Sequence, residues 1–115
     1  MMNRYEEALK AYEQALTLDP KNARDWICKG ATLNCLTQYA EALSCCDRAL
    51  SLEPLKEAWH TKGEVLGKLG RYTEAIECFD QALKIDPDFQ ISIDEREQTL
   101  KMQQEYEQQE ADKRK

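Results

Sequence analysis

Apolar residues recur along most of the chain at steps of three and four, which is the spacing of one face of an α-helix. Three segments repeat this pattern with similar residue types at corresponding positions. Their apolar stripes are Tyr5, Ala8, Leu9, Tyr12, Ala15 and Leu16; Tyr39, Ala42, Leu43, Cys46, Ala49 and Leu50; and Tyr72, Ala75, Ile76, Phe79, Ala82 and Leu83. Each stripe predicts an amphipathic helix that buries one side.

The helix ends recur with the stripes, and so does a second type of helix between them. An acidic residue followed by proline closes each stripe, at Asp19-Pro20, Glu53-Pro54 and Asp86-Pro87. Because the residue before proline avoids the helical region, each dipeptide ends a helix. A second helical pattern lies between the stripes, at Trp26, Gly30 and Leu33 and again at Trp59, Gly63 and Leu66. Its glycines should let the two helices of one unit approach closely, and units this short must stack to bury their stripes.

This arrangement resembles the tetratricopeptide repeat, whose pattern runs W-x2-L-G-x2-Y, then A-x3-F, then P. Residues 22–55 and 56–88 resemble complete repeats, and residues 1–21 resemble the second helix of an incomplete one. The departures are small: both complete repeats have lysine where leucine is usual, and Cys46 replaces an aromatic residue. The resemblance implies an all-α, right-handed superhelical solenoid of antiparallel helix pairs.

Residues 1–21 predict the second helix of a repeat whose first helix is not in this sequence. One side of its stripe can pack against the helix that begins near Asn22, whereas the other side faces nothing in this chain. Burying a large apolar side chain contributes ~1.5–3 kcal/mol, so several exposed ones would be costly. We expect a longer array or another copy to cover this face, which makes the protein a possible homo-oligomer. The candidate self-association residues are Tyr5, Leu9, Tyr12 and Leu16.

The segment 89–115 departs from the repeat. Phe89, Ile93 and Leu100 form an apolar stripe that predicts a capping helix. From Gln103 onward the residues are mostly Gln, Glu, Asp, Lys and Arg, which predicts a solvated helix that frays toward its end. The sustained heptads that a coiled coil requires do not occur.

Composition restricts the partners and the environment. The 115 residues carry a formal net charge of −6, which argues against nucleic acid or an anionic membrane as a partner. A neutral or basic protein segment is favoured instead. No apolar run approaches the roughly 20 residues of a membrane span, and the start of the chain lacks the apolar core of a signal peptide. We therefore expect a cytoplasmic protein whose five cysteines are thiols.

Few residues offer catalytic or metal-binding chemistry. His60 is the single histidine, and a general base or a metal ligand needs positioned partners. Cys28 and Cys35 share a helix face and could meet His60, so a metal-binding accessory is a remote alternative. No Cys-x-x-Cys pair, nucleotide-binding loop or Ser/His/Asp set occurs. We predict no enzymatic activity, no cofactor and no bound metal.

The resemblance also implies a binding surface, because the first helix of each repeat in this family lines a concave face that receives a peptide. The corresponding positions are Arg24, Ile27, Cys28, Ala31, Asn34, Cys35, Glu57, His60, Thr61, Glu64 and Lys68. One subset of the family grips the acidic tail of heat-shock chaperones with lysine, asparagine and arginine side chains. Cys28, Glu57 and Thr61 stand at matching positions, so an acidic tail is not expected here. The predicted function is a protein–protein interaction scaffold.

Overall fold

Six α-helices and no strand make up the computed structural model, which describes residues 3–115. The helices are α1 Arg4–Leu18, α2 Ala23–Cys35, α3 Tyr39–Leu52, α4 Lys56–Lys68, α5 Tyr72–Ile85 and α6 Gln90–Lys113. The predicted unit boundaries all fall between helices. Met1 and Met2, which begin the predicted incomplete repeat and the segment compared with a signal peptide, lie outside the described residues. None of these six helices is both long enough and apolar enough to cross a bilayer.

Side-chain caps explain where the first two helices begin. Asn3 Oδ1 accepts a hydrogen bond from the Glu6 N–H at 2.9 Å, and Asn22 Oδ1 accepts one from the Asp25 N–H at 3.2 Å. Each asparagine supplies an acceptor to an amide that the helix itself leaves unpaired. The acidic-proline dipeptides follow α1, α3 and α5, as the sequence predicts.

The turns inside the two complete repeats share one backbone arrangement. The N–H groups of Gln38 and Arg71 each donate, at 2.9 Å, to the carbonyl five residues earlier. Both bonds close the preceding helix in the manner of a Schellman turn. The turn residue with positive φ is Thr37, at 60°, in the first repeat and Gly70, at 78°, in the second.

Neighbouring helices pack side by side, so that α2 pairs with α3 and α4 with α5. The first helices of the units also contact one another, α2 with α4 and α4 with α6. Buried clusters around Leu33, Ala58, Val65 and Phe79 fill the space between the helices. The chain is thus a stack of helix pairs in which α6 takes the place of another first helix.

Glycine lets the two helices of each complete repeat approach closely, as predicted. A Cβ added to Gly63 would lie 2.6 Å from the ring of Phe79, which is fully buried. At Gly30 the nearest atoms, among them Sγ of Cys46, would lie at 3.3 Å. The second repeat is therefore the more tightly packed of the two at this position.

The last helix, α6, continues to Lys113, and most of its residues after Gln103 are exposed, as predicted for a solvated helix. Gln103 Nε2 donates to Oγ1 of Thr73 at 2.8 Å, and the rings of Tyr106 and Tyr72 lie 6.3 Å apart. These contacts tie the polar half of α6 to the start of α5. Composition alone does not predict these contacts, because it does not show which polar residues of α6 face α5.

The buried side of α6 is polar. Ser92 and Thr99 are its buried residues, whereas Ile93 and Leu100 of the predicted apolar stripe are half-buried. Thr99 Oγ1 donates to the Glu95 carbonyl at 2.7 Å, so its hydroxyl is paired within the helix. Small side chains suit this side because α4 and α5 both pack against α6.

Candidate functional site

The peptide-binding residues predicted from the sequence lie on α2 and α4, whose side of the stack continues onto α6. We call this side the first-helix face. Seven of the eleven predicted residues are exposed or half-buried: Arg24, Cys28, Ala31, Cys35, Glu57, Glu64 and Lys68. The first-helix face therefore presents a mixture of small, thiol and charged side chains.

The other four predicted residues, Ile27, Asn34, His60 and Thr61, are buried. This corrects their assignment from the sequence, since a guest segment cannot reach a buried side chain. The physical reason is that each first helix also packs against the next one. Ile27 lies in an apolar cluster with Ala58 of α4, and His60 contacts α6 in a comparable way.

His60 is fixed between α4, α5 and α6. Its Nδ1 lies 2.7 Å from Oγ of Ser92, and its Nε2 lies 3.0 Å from Oε1 of Glu64. The rings of Phe79 and Phe89 flank it, with centroids at 5.4 and 5.6 Å. The Nδ1 contact thus joins α4 to α6, whereas the Nε2 contact stays within α4.

The metal-binding alternative requires Cys28, Cys35 and His60 to converge. Within residues 3–115, no three histidine, cysteine, aspartate or glutamate side chains form a group suited to a metal ion. Cys28 instead hydrogen-bonds with Tyr12, a contact that raises the pKa of Tyr12. Cys35 is exposed at the end of α2. The structure does not assemble this ligand set.

The remaining cysteines are packing residues. Cys45, Cys46 and Cys78 are buried thiols. Burial raises the pKa of Cys46 to about 12 and that of Cys78 to about 11. Because the thiolate is the reactive form, these thiols are inert at neutral pH.

An ion pair crosses the first-helix face near the starts of α2 and α4. Arg24 Nη1 lies 4.0 Å from Oε1 of Glu57, and the Arg24 side chain is largely exposed. Such a pair adds little stability. Glu57 Oε2 and Asn34 Oδ1 are buried atoms with no hydrogen-bond partner among residues 3–115. Buried acceptors are normally bonded, and these two, at the start of α4 and the end of α2, are exceptions.

A groove of about 370 Å³ lies between α4 and α6. Its lining residues are Gly63, Glu64, Gly67, Lys68, Phe79, Glu95, Gln98, Thr99 and Met102. We call it the α4–α6 groove. A Cβ added to Gly67 would meet no atom within 4 Å, so the groove is open above this residue. Two carboxylates, of Glu64 and Glu95, and the ammonium group of Lys68 lie along it.

Sequence analysis missed the α6 wall of this groove, because α6 lacks the tryptophan and glycine of a first helix. One signal was available. Ser92 and Thr99 follow Ala58 and Val65 by 34 residues each, and all four are buried. An alignment on these small residues would have identified α6 as a further first helix.

The predicted self-association residues on α1 are mostly covered by α2. Leu16 is only 6% exposed, and Leu9 packs against the cluster that contains Leu33. Tyr12 is half-buried, and Tyr5, at 49%, is the exposed member of the four. The expectation of an open apolar face is therefore corrected for Leu9, Tyr12 and Leu16, because these side chains pack toward α2.

Sequence families match both halves of the chain. The family described as Tetratricopeptide repeat matches residues 57–89, which include most of α4 and all of α5. The family described as TPR repeat matches residues 2–33, which include α1 and most of α2. The chain belongs to the tetratricopeptide-repeat family.

Solved structures share the fold of this tetratricopeptide-repeat chain. The first TPR of Spaghetti (RPAP3) bound to the HSP90 peptide SRMEEVD is 22% identical, with a TM-score of 0.81 over 86% of this chain and 79% of that one. The first TPR domain of human RPAP3 is 22% identical, with a TM-score of 0.87 over 91% and 84%. The Arabidopsis OM64 TPR domain is 23% identical, with a TM-score of 0.81 over 85% and 82%. These similarities confirm the predicted all-α helical solenoid.

No curated protein sequence matches the chain. The positions compared with chaperone-binding members of the tetratricopeptide-repeat family offer no cation in this structure. Thr61 is buried, Glu57 pairs with Arg24, and Cys28 is a free thiol beside Tyr12. These three positions therefore offer no cation to a carboxylate.

Proposed function

We propose that the chain is a scaffold that holds a segment of a partner protein on its first-helix face and catalyses no reaction. The observation that carries the proposal is the α4–α6 groove, an open recess that includes Glu64 and Lys68, two of the predicted contacts. A groove lined by rigid helices can select a segment by shape before any side chain has to reorganise.

A structural relative supports this mode of binding. The Spaghetti (RPAP3) domain of similar fold was solved with a bound HSP90 peptide, SRMEEVD. We extend from that complex only the general mode, in which a short segment lies on the repeat. The identity of the segment does not transfer at 22% identity.

The charge of the first-helix face favours a neutral or basic partner. Three carboxylates, of Glu57, Glu64 and Glu95, lie on it with two cations, Arg24 and Lys68, and the whole chain carries a net charge of −6. An acidic segment would meet like charges at these positions, which is unfavourable for association.

The side chains with catalytic potential support a role without catalysis. Both nitrogens of His60 are engaged in packing contacts, and the pKa of Cys46 and of Cys78 is raised by burial. A nucleophile or general base needs an accessible group with a matched pKa.

Selection from a random dodecapeptide display library against the intact chain tests the proposal. We expect the chain to enrich peptides, and Gly67→Leu to lose them because its side chain fills the α4–α6 groove. Gly67 has open space around it, so this change should leave the fold intact. Ala40→Leu, at an exposed position on α3, is the matched control and should keep the peptides. Equal enrichment by the two variants would refute binding in the groove.

A further inference from the structure

The α4–α6 groove combines two acidic residues with one exposed apolar side chain. Glu64 and Glu95 line it, and Met102, which is 40% exposed, contributes the accessible apolar surface above the buried Phe79 ring. Its floor is open above Gly67, because that residue has no side chain to fill it. A long side chain with an aliphatic stem and a polar end would match both kinds of surface.

The two carboxylates differ in how they are held. Glu64 Oε1 lies 3.0 Å from the buried Nε2 of His60, which fixes the Glu64 side chain at the groove. Glu64 Oε2 takes no hydrogen bond within residues 3–115, and the Glu95 carboxylate takes none in that range either. Three of the four carboxylate oxygens are therefore available to donors from a guest.

Lys68 is the cation that lines the same groove, and it offsets one of the two carboxylates. It is exposed in the last turn of α4, so its flexible side chain can extend into solvent. The balance at the groove is one negative charge in excess, which agrees in sign with the net charge of −6 for the chain.

We infer that the α4–α6 groove binds a lysine or arginine side chain of the partner segment. This inference rests on the proposed function, to which it adds the chemistry of one contact. The aliphatic stem of the guest residue packs on the exposed side chain of Met102, and its charged end donates to Glu64 and Glu95. An apolar guest residue would leave both carboxylates without a donor, and an acidic one would meet repulsion.

Three parallel selections from the same dodecapeptide library test this inference. They use the wild-type chain, Glu95→Lys and Glu97→Lys. Glu97 is exposed on α6 and does not line the groove, so its variant carries the same charge change outside the site. We expect wild type and Glu97→Lys to enrich peptides with lysine or arginine at one position, and Glu95→Lys to lose that preference.

Fluorescence polarisation of one selected peptide then measures the contact. Replacing its enriched lysine by norleucine keeps the stem and removes the charge, and we expect Kd to rise about tenfold because charge-assisted hydrogen bonds are lost. Glu95→Gln should weaken the lysine peptide severalfold and leave the norleucine peptide unchanged. Thermal unfolding of each variant verifies that it is folded.

The outcomes separate the two proposals. Peptides that enrich without a basic preference, and that Gly67→Leu abolishes, would leave the scaffold function standing and overturn the inference about lysine or arginine. A basic preference that persists in Glu95→Lys would overturn it as well. No enrichment by the wild-type chain would overturn the proposed function, and the inference with it.

Discussion

The two complete repeats, α2–α3 and α4–α5, share a backbone plan and differ in how the space inside it is filled. In the first repeat Gly30 faces Cys46, and a Cβ on this glycine would lie 3.3 Å from its nearest neighbours. In the second repeat Gly63 faces the Phe79 ring, and the corresponding distance is 2.6 Å. The equivalent glycines therefore differ in how much room they leave for a side chain, because the residue opposite, Cys46 or Phe79, sets the distance.

The turns of the two repeats show the same contrast. Thr37 and Gly70 occupy equivalent positions and both have positive φ, at 60° and 78°. This conformation costs a residue with a side chain roughly 1–2 kcal/mol, and glycine is spared that cost. The second repeat therefore has the less strained turn as well as the more closely packed core.

Truncation of the residue opposite each glycine, Phe79 or Cys46, should give the largest difference between the repeats in the free energy of unfolding. Phe79→Ala removes a fully buried ring and is expected to cost about 3–5 kcal/mol of the free energy of unfolding. Cys46→Ala, at the equivalent buried position, should cost only about 1 kcal/mol because one sulfur atom is lost. Urea denaturation followed by circular dichroism measures both. Similar losses for the two variants would contradict the difference in packing.

Substitution of the paired glycines should give the next largest difference. Gly63→Ala is expected to destabilise by about 1–3 kcal/mol, because its Cβ clashes with a buried ring that has no room to move. Gly30→Ala should be close to neutral, since the helix propensity gained, about 0.5–1 kcal/mol, offsets a milder contact.

A double variant sharpens this prediction. In a Phe79→Cys background, which copies the first repeat, Gly63→Ala should cost much less than it does in the wild type. The coupling between the two positions is read from a double-mutant cycle of urea midpoints. Additive effects would show that the ring is not what makes Gly63 necessary.

Exchange of the turn residues should have a smaller effect. Thr37→Gly is expected to raise the free energy of unfolding by about 0.5–1 kcal/mol, because relief of the positive-φ strain exceeds the entropy cost of glycine. Gly70→Thr should lower it by about 1–2 kcal/mol. Thermal unfolding of both variants beside wild type checks the opposite signs, and a melting temperature lowered by Thr37→Gly would contradict the strain.

The smallest expected effect concerns the carboxylate of Asp86, which follows the end of α5. A hydrogen bond from Lys56 holds the pKa of Asp86 below its ordinary value of 3.8. The folded-state pKa of Asp86 is lower than its unfolded-state pKa, so the ionised carboxylate stabilises the fold. This stabilisation is fully present above the unfolded-state pKa and is lost as pH falls through the folded-state pKa. Lys56→Gln should raise the pKa of Asp86 toward its ordinary value, as measured by carboxyl-carbon NMR titration. An unchanged titration would exclude the pairing in solution.

Much of the fold could be predicted because its determinants are local. The proline dipeptides end helices, and the stripes at Tyr39 and Tyr72 define the buried sides, whatever the rest of the chain does. The glycines opposite Cys46 and Phe79 were recognised by their recurrence. Each of these signals is a short pattern inside one repeat, and its recurrence in the next repeat makes it recognisable.

The candidate site was harder to predict because it depends on contacts between repeats. His60 and Thr61 were assigned to an open face, yet α4 also packs against α6, and both residues are buried. The buried side of α6 carries Ser92 and Thr99, which a search for apolar periodicity passes over. The α4–α6 groove could not be predicted from the sequence, because its second wall, which includes Glu95, requires α6 to pack as a first helix.

The contact between His60 and Ser92 joins the terminal helix to the wall that carries Glu64. Loosening α6 would break this contact at the same time as it dismantled the opposite wall. In the proposed scaffold, a change confined to α6 would therefore reshape the groove while the stacked core beneath it stays as it is.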